Sequence, residues 1–99
     1  MYTQTDIIKF LADHKTDFQN RYNIIKIGLF GSYARNEQSE ASDIDILVEF
    51  APGTNDLFEK KSQLRATIQG VFNREVDICR EKYIKPIFRK QILGQAIYV

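Results

Sequence analysis

The order of elements in this chain predicts an α/β (α+β) domain: a mixed sheet of three or four strands packed by helices. Three observations carry that prediction. A helical pattern opens the chain and a second follows the turn residues Pro52-Gly53-Thr54-Asn55. A short β-branched run, Ile24–Phe30, ends on Gly31. Asp43–Phe50 alternates polar and apolar residues with the period of two that belongs to strands. Helices and strands therefore intermix around one sheet.

The first helix is expected over about residues 5–21. Thr5 serves as its N-cap, Asp6 sits in its first turn, and Ile7, Ile8, Leu11, Phe18 and Tyr22 recur near helical spacing. His14 falls one turn after Leu11 and reads as a boundary packing residue. Ile24–Phe30 reads as a buried strand, followed by a short helical turn around Tyr33–Glu37. In the next strand Asp43, Asp45, Leu47 and Glu49 point one way, and Ile44, Ile46, Val48 and Phe50 the other. A second long helix places Leu57, Leu64, Ile68 and Val71 on one face, with Gly70 and Asn73 bracketing its end. Glu75–Cys79 reads as a third strand. Pro86 suits the first position of a last helix, with Ile87, Phe88 and Ile92 as core and Gly94 as its stop. Ala96–Val99 adds a final short strand.

At 99 residues the chain is expected to form one domain, 1–99. A hydrophobic content of 43% with 12% aromatics suits a packed globule rather than a disordered segment. A formal net charge of +1 offers no electrostatic footprint for nucleic acid or a membrane surface, so neither is expected as a partner. The charge is nonetheless segregated: residues 37–59 hold seven acidic side chains and no basic one, whereas residues 80–90 hold five basic ones against Glu81. Most of these are expected to be solvated or mutually paired. Cys79 is the only cysteine, which forbids an internal disulfide and fits a reducing, cytoplasmic setting. With no histidine in its element, Cys79 reads as an inert thiol. Residues 1–6 lack the basic and apolar regions of a signal peptide, and no apolar run approaches the roughly 20 residues needed to span a bilayer.

Three features converge on chemistry. Gly31-Ser32 follows a buried strand directly; glycine permits a sharp turn and close approach of a ligand, and the Ser32 hydroxyl with nearby N–H groups can cradle a phosphate. Alone it equally describes a plain turn. Asp43 and Asp45 project from one face of a strand and repel each other unless a cation sits between them; hard oxygen ligands favour Mg2+, with Mn2+ as an alternative. The competing description is a charged, solvent-facing edge strand. Asp77, between Val76 and Ile78, reads as a buried carboxylate that needs a metal or a salt bridge with Arg74 or Arg80. Taken together, three carboxylates beside a phosphate-holding turn describe a two-metal phosphoryl-transfer site.

The stretch Gly28-Leu29-Phe30-Gly31-Ser32-Tyr33-Ala34-Arg35, followed by Ser42-Asp43-Ile44-Asp45-Ile46-Leu47-Val48, resembles the signature of the DNA polymerase beta-like nucleotidyltransferases, whose palm-like fold it implies. Within that superfamily the chain resembles the minimal nucleotidyltransferases. Eleven positions separate Ser32 from Asp43, within the family's range, and Val76-Asp77-Ile78 stands where the family places its third carboxylate. The likeness covers nearly the whole chain. It implies that Gly31 and Ser32 hold the β- and γ-phosphates of ATP, that Asp43 and Asp45 ligate two Mg2+ ions, and that Asp77 completes the metal site and helps activate the acceptor hydroxyl. Arg35 would steady the triphosphate, or pair instead with Glu37 or Glu40. Asn36 replaces the family's usual glycine, and asparagine tolerates the left-handed backbone required there.

Such minimal proteins resemble antitoxins partnered with HEPN-domain ribonuclease toxins. The resemblance therefore implies a hetero-oligomer of type VII-like toxin–antitoxin character, in which AMP passes to a partner hydroxyl, expected to be a tyrosine's. Two other functions share these residues: a non-catalytic antitoxin that masks its toxin, and a small-molecule modifier of the aminoglycoside kind.

Overall fold

The computed structural model describes residues 2–99. In chain order it comprises α1 (Gln4–Asp13), α2 (Lys15–Tyr22), β1 (Ile24–Phe30), α3 (Gly31–Ala34), β2 (Ile44–Phe50), α4 (Leu57–Phe72), β3 (Val76–Arg80), a 3-10 turn (Glu81–Tyr83), α5 (Pro86–Gln95) and β4 (Ile97–Tyr98). The four strands form one sheet in the order β3-β2-β1-β4. β1 pairs antiparallel with both β2 and β4, whereas β2 and β3 are parallel, so the sheet is mixed as expected. A parallel pair needs a crossover, and α4 supplies it.

The core lies between one sheet face and the helices α1, α2 and α4. Ile44, Ile46, Val48 and Phe50 of β2 join Ile7 and Leu11 of α1, Phe18 and Tyr22 of α2, and Leu64, Ile68 and Phe72 of α4. Fully burying each of these side chains contributes on the order of 1.5–3 kcal/mol. Leu47 is equally buried, although it lies outside that cluster. Its register neighbours are Gly28 and Cys79, and the ring of Tyr98 lies against Gly28. A β-carbon on residue 28 would come within 2.8 Å of Tyr98 Cδ1 and 2.9 Å of the Ile97 carbonyl oxygen. Glycine at 28 is therefore what allows β4 to close over β1.

Several element ends differ from the sequence expectation. The first helix starts at Gln4 with Thr3, not Thr5, as N-cap: Asp6 N–H donates to Thr3 Oγ1 (3.2 Å) and Thr3 N–H donates to Asp6 Oδ2 (2.9 Å), a reciprocal capping box. It does not run unbroken to residue 21. At His14 the backbone leaves helical geometry (φ −104°, ψ 5°), and both its N–H and its ring Nδ1–H are directed at the Phe10 carbonyl. The ring packs against Phe10 and Phe18, as a boundary residue should. α4 passes through Gly70, and the left-handed Asn73 (φ 54°) caps it, burying Phe72 and leaving Val71 47% exposed. α5 continues through Gly94 to Gln95, and it buries none of its residues fully. Ile87 (82%) and Phe88 (49%) are exposed, which corrects their assignment to the core.

Candidate active site

β1 ends by delivering its chain straight into α3. Gly31 takes φ +73°, a conformation costly for side-chain-bearing residues, and the backbone then makes a single helical turn. The turn is anchored by the fully buried Tyr33 and closed by Gln4 Nε2, which donates to the Ala34 carbonyl (2.8 Å). The first N–H groups of a helical turn have no intrahelical acceptor, and no side chain caps this one. The short helix begins at Gly31, earlier than the expected Tyr33–Glu37. Asn36 follows with φ 57°, the left-handed geometry its side chain tolerates.

The strand register places the acidic residues opposite this turn. Phe30 of β1 pairs with Asp45 of β2, and Asp45 pairs with Asp77 of β3, so all three side chains share one sheet face. Asp43 lies just before β2, two residues from Asp45, at the exit of a serine turn in which Ser39 N–H donates to Ser42 Oγ (2.9 Å). Ile44 N–H then donates to the Glu75 carbonyl (2.9 Å), fixing where β2 meets β3.

The carboxylates differ in setting. Asp43 and Asp77 are exposed, and Asp45 is half-buried. The expectation of a buried Asp77 is corrected. β3 is an edge strand, and Asp77 pairs with neither candidate arginine: Arg74 donates to the Glu40 carbonyl, and Arg80 forms an ion pair with Glu49 (3.2 Å). The residue under electrostatic stress is Asp45. Burial first, then the negative charges of Asp77 and Asp43, push its carboxyl up to about 6, with the nearby Arg35 pulling the other way. The alternation of β2 marks Asp45 as facing away from the core, but not that the Gly31 backbone half-covers it.

Among the described residues, no three His, Cys, Asp or Glu side chains converge tightly enough to form a closed metal cage in this arrangement. The residues nevertheless suit a divalent cation: hard oxygen donors, mutually repelling, with the central one raised in pKa by burial and then by the other two carboxylates.

Arg35 is exposed and pairs with Glu37 (3.0 Å), donating also to Gln95 Oε1 (3.3 Å). Ser32 is half-buried, and its carbonyl accepts from Glu37 N–H (2.9 Å). Cys79, next but one to Asp77, carries a thiol pushed up to about 11 by burial and then by Asp77, which suits an inert residue rather than a nucleophile.

Comparison with known proteins agrees with this architecture. A family model described as the nucleotidyltransferase domain matches residues 11–99. A candidate protein adenylyltransferase of Methanocaldococcus jannaschii, MJ1379, is 38% identical over 100 residues, covering the whole of both chains. Protein adenylyltransferase MntA of Thermococcus cleftensis is 33% identical over 99 residues, covering 100% of this chain and 98% of that one. Among solved structures, a candidate minimal nucleotidyltransferase superposes with a TM-score of 0.76 at 28% identity, covering 97% of this chain and 95% of its own. A toxin–antitoxin crystal structure with AMP-PNP superposes with a TM-score of 0.66 at 26% identity, covering 98% of this chain and 72% of the other. With the Gly31 turn and the carboxylate row in place, the chain belongs to the nucleotidyltransferase-domain family, among its minimal members.

Proposed function

We propose that this chain is a protein adenylyltransferase that moves AMP from ATP to a hydroxyl of a partner toxin, and so acts as an antitoxin. The observation that carries the reading is the register Phe30–Asp45–Asp77, which sets two carboxylates side by side against the Gly31–Ser32 turn. The relatives named as protein adenylyltransferases, and the toxin–antitoxin structure with a bound ATP analogue, support the choice of nucleotide and of acceptor class.

In this reading the N–H groups at Gly31 and Ser32, with the Ser32 hydroxyl, hold the β- and γ-phosphates, and Arg35 turns from Glu37 to the triphosphate. Asp43, Asp45 and Asp77 hold Mg2+, which when bound neutralises the carboxylates and the phosphate charge. The acceptor oxygen attacks the α-phosphorus in line. Its new P–O bond forms as the bond to the β-phosphate oxygen breaks, pyrophosphate leaves, and the hydroxyl proton passes to Asp77 and on to water. The partner is a HEPN-type toxin and the acceptor a tyrosine, giving a hetero-oligomer in the cytoplasm.

Incubation with radiolabelled ATP, Mg2+ and the product of the neighbouring gene as the candidate toxin tests the reading. Label on the toxin with wild type, and none with Asp43→Asn, is the expected result. A stable complex without label would turn the reading to a masking antitoxin.

A further inference from the structure

A groove of about 280 Å³ opens along β3, between the 3-10 turn and α5. Phe30, Tyr83, Ile84, Phe88 and Ile92 are among its apolar lining residues, and Lys61, Arg80 and Lys85 also border it. Phe30 stands in the same register row as Asp45 and Asp77, so the groove adjoins the carboxylates. Cys79, also in its wall, lies two residues beyond Asp77 on the same face, about 7 Å along the strand. Tyr83 (70%) and Phe88 (49%) hold large apolar surface open to solvent at its mouth.

We propose that this groove docks the acceptor segment of the partner protein, receiving a tyrosine flanked by acidic residues. The proposal rests on the adenylyltransferase reading, and three observations carry it. The first is direction. In-line displacement puts the entering oxygen and the departing pyrophosphate on opposite sides of the α-phosphorus. The Gly31–Ser32 turn lies at the β1 end of the carboxylate row, which leaves the β3 side, where the groove opens, for the acceptor. The second is reach. A side chain lying in the groove must extend its hydroxyl about two strand residues to Asp77. The tyrosine already proposed as acceptor is long enough to do so, whereas serine and threonine side chains are shorter. The third is charge. Arg80 is engaged by Glu49, but among the described residues Lys61 and Lys85 form no ion pair, so two cations at the rim are left to meet carboxylates on the segment that enters.

Backbone amide shift titrations of the full chain test this with two synthetic peptides of equal length, one with tyrosine between glutamates and one with tyrosine between lysines, and separately with ATP and Mg2+. The acidic peptide is expected to shift residues 78–92, and ATP residues 31–35 and 43–45. Tyr83→Ala with Phe88→Ala should weaken the acidic peptide by roughly tenfold or more while leaving ATP affinity within about twofold. Both side chains are exposed enough for the fold to survive their truncation. Lys61→Glu with Lys85→Glu should reverse the preference between the peptides. Failure of both peptides to shift the groove overturns the proposal. So does an ATP response centred there, or an equal loss of ATP affinity in the aromatic variants; either result would make it a nucleobase pocket. Peptide seated in the groove without label transfer from ATP supports the docking site and sinks the transfer reading instead.

Discussion

The carboxylate of Asp45 fills the space that a β-carbon on residue 31 would need: an ideal Cβ there would lie 2.9 Å from Asp45 Cγ and 3.1 Å from its Cβ. The Gly31 turn and the central carboxylate therefore interlock. Gly31→Ala should abolish label transfer from ATP and cost roughly 1–2 kcal/mol for the φ of +73° alone, with the collision added. In an Asp45→Ala background the collision with the carboxylate disappears, leaving the backbone cost and the 3.1 Å approach to the Cβ of residue 45. Thermal or urea unfolding of the two single variants and the double variant should reveal a coupling on the order of 0.5 kcal/mol or more. Strict additivity would show that the two residues do not touch.

Asp45 also links function to pH. Its carboxyl titrates at about 6 in the folded chain, against an ordinary value of 3.8 that the unfolded chain retains, so folding takes up a proton between those values. The stability that goes with the protonated form is complete below about 4 and is lost as pH rises through about 6. In EDTA, Asp45→Asn should thus melt at a higher temperature than wild type above pH 6, with the difference shrinking towards pH 4. The same variant should transfer no label. Adding Mg2+ at pH 8 should raise the melting temperature of wild type and leave Asp45→Asn little changed. A variant no more stable than wild type in EDTA at pH 8 would remove the electrostatic stress assigned to this residue.

How much of this was legible in the sequence depended on whether the signal was local. The period-two alternation of residues 43–50, and the glycine after the Ile24–Phe30 run, placed β1 and β2 and both halves of the candidate site, because side-chain direction in a strand follows from spacing alone. The parallel pairing that sets Asp77 beside Asp45 is a long-range contact, which spacing within one strand does not specify. The setting of Asp77 was misjudged because apolar neighbours on both sides suggest a central strand, whereas β3 is at the sheet edge and its outer face is open. The interruption at His14 escaped detection because Phe18 and Tyr22 stay close to helical spacing across it. Ile87 and Phe88 read as core because their amphipathic pattern cannot say which face meets the sheet.

Glu81 ties the C-terminal elements to the sheet. Its carboxylate accepts from Tyr98 Oη (2.9 Å), pairs with Lys26 (2.9 Å) and lies 3.7 Å from Arg89, joining β1, α5 and β4. The hydrogen bond from Lys26, chiefly, holds its carboxyl below the usual range. A lowered folded value means that the contribution to stability is present above pH 4.5 and is lost as pH falls through the folded value. Glu81→Gln keeps the shape and removes the charge, and should cost about 1 kcal/mol at pH 7. The amides of Ile97 and Tyr98 should then exchange with solvent faster than in wild type. Unchanged exchange there would mean that Glu81 does not hold β4.

Arg35 separates a structural role from a nucleotide-binding one. Its partners, Glu37 and Gln95, are exposed contacts of the kind that contribute about 0–1 kcal/mol, so Arg35→Ala should leave the melting temperature nearly unchanged. If the side chain swings to the triphosphate, the same change should raise the KM for ATP by about tenfold, the loss of one charge-assisted contact of roughly 1.4 kcal/mol. Glu37→Ala provides the opposing control. Freeing Arg35 from its ion pair should lower the KM for ATP or leave it unchanged, and should never raise it as Arg35→Ala does. An Arg35→Ala protein that melts early and uses ATP with an unaltered KM would place Arg35 in the scaffold, as the clasp between α3 and α5, and leave the triphosphate to Gly31 and Ser32.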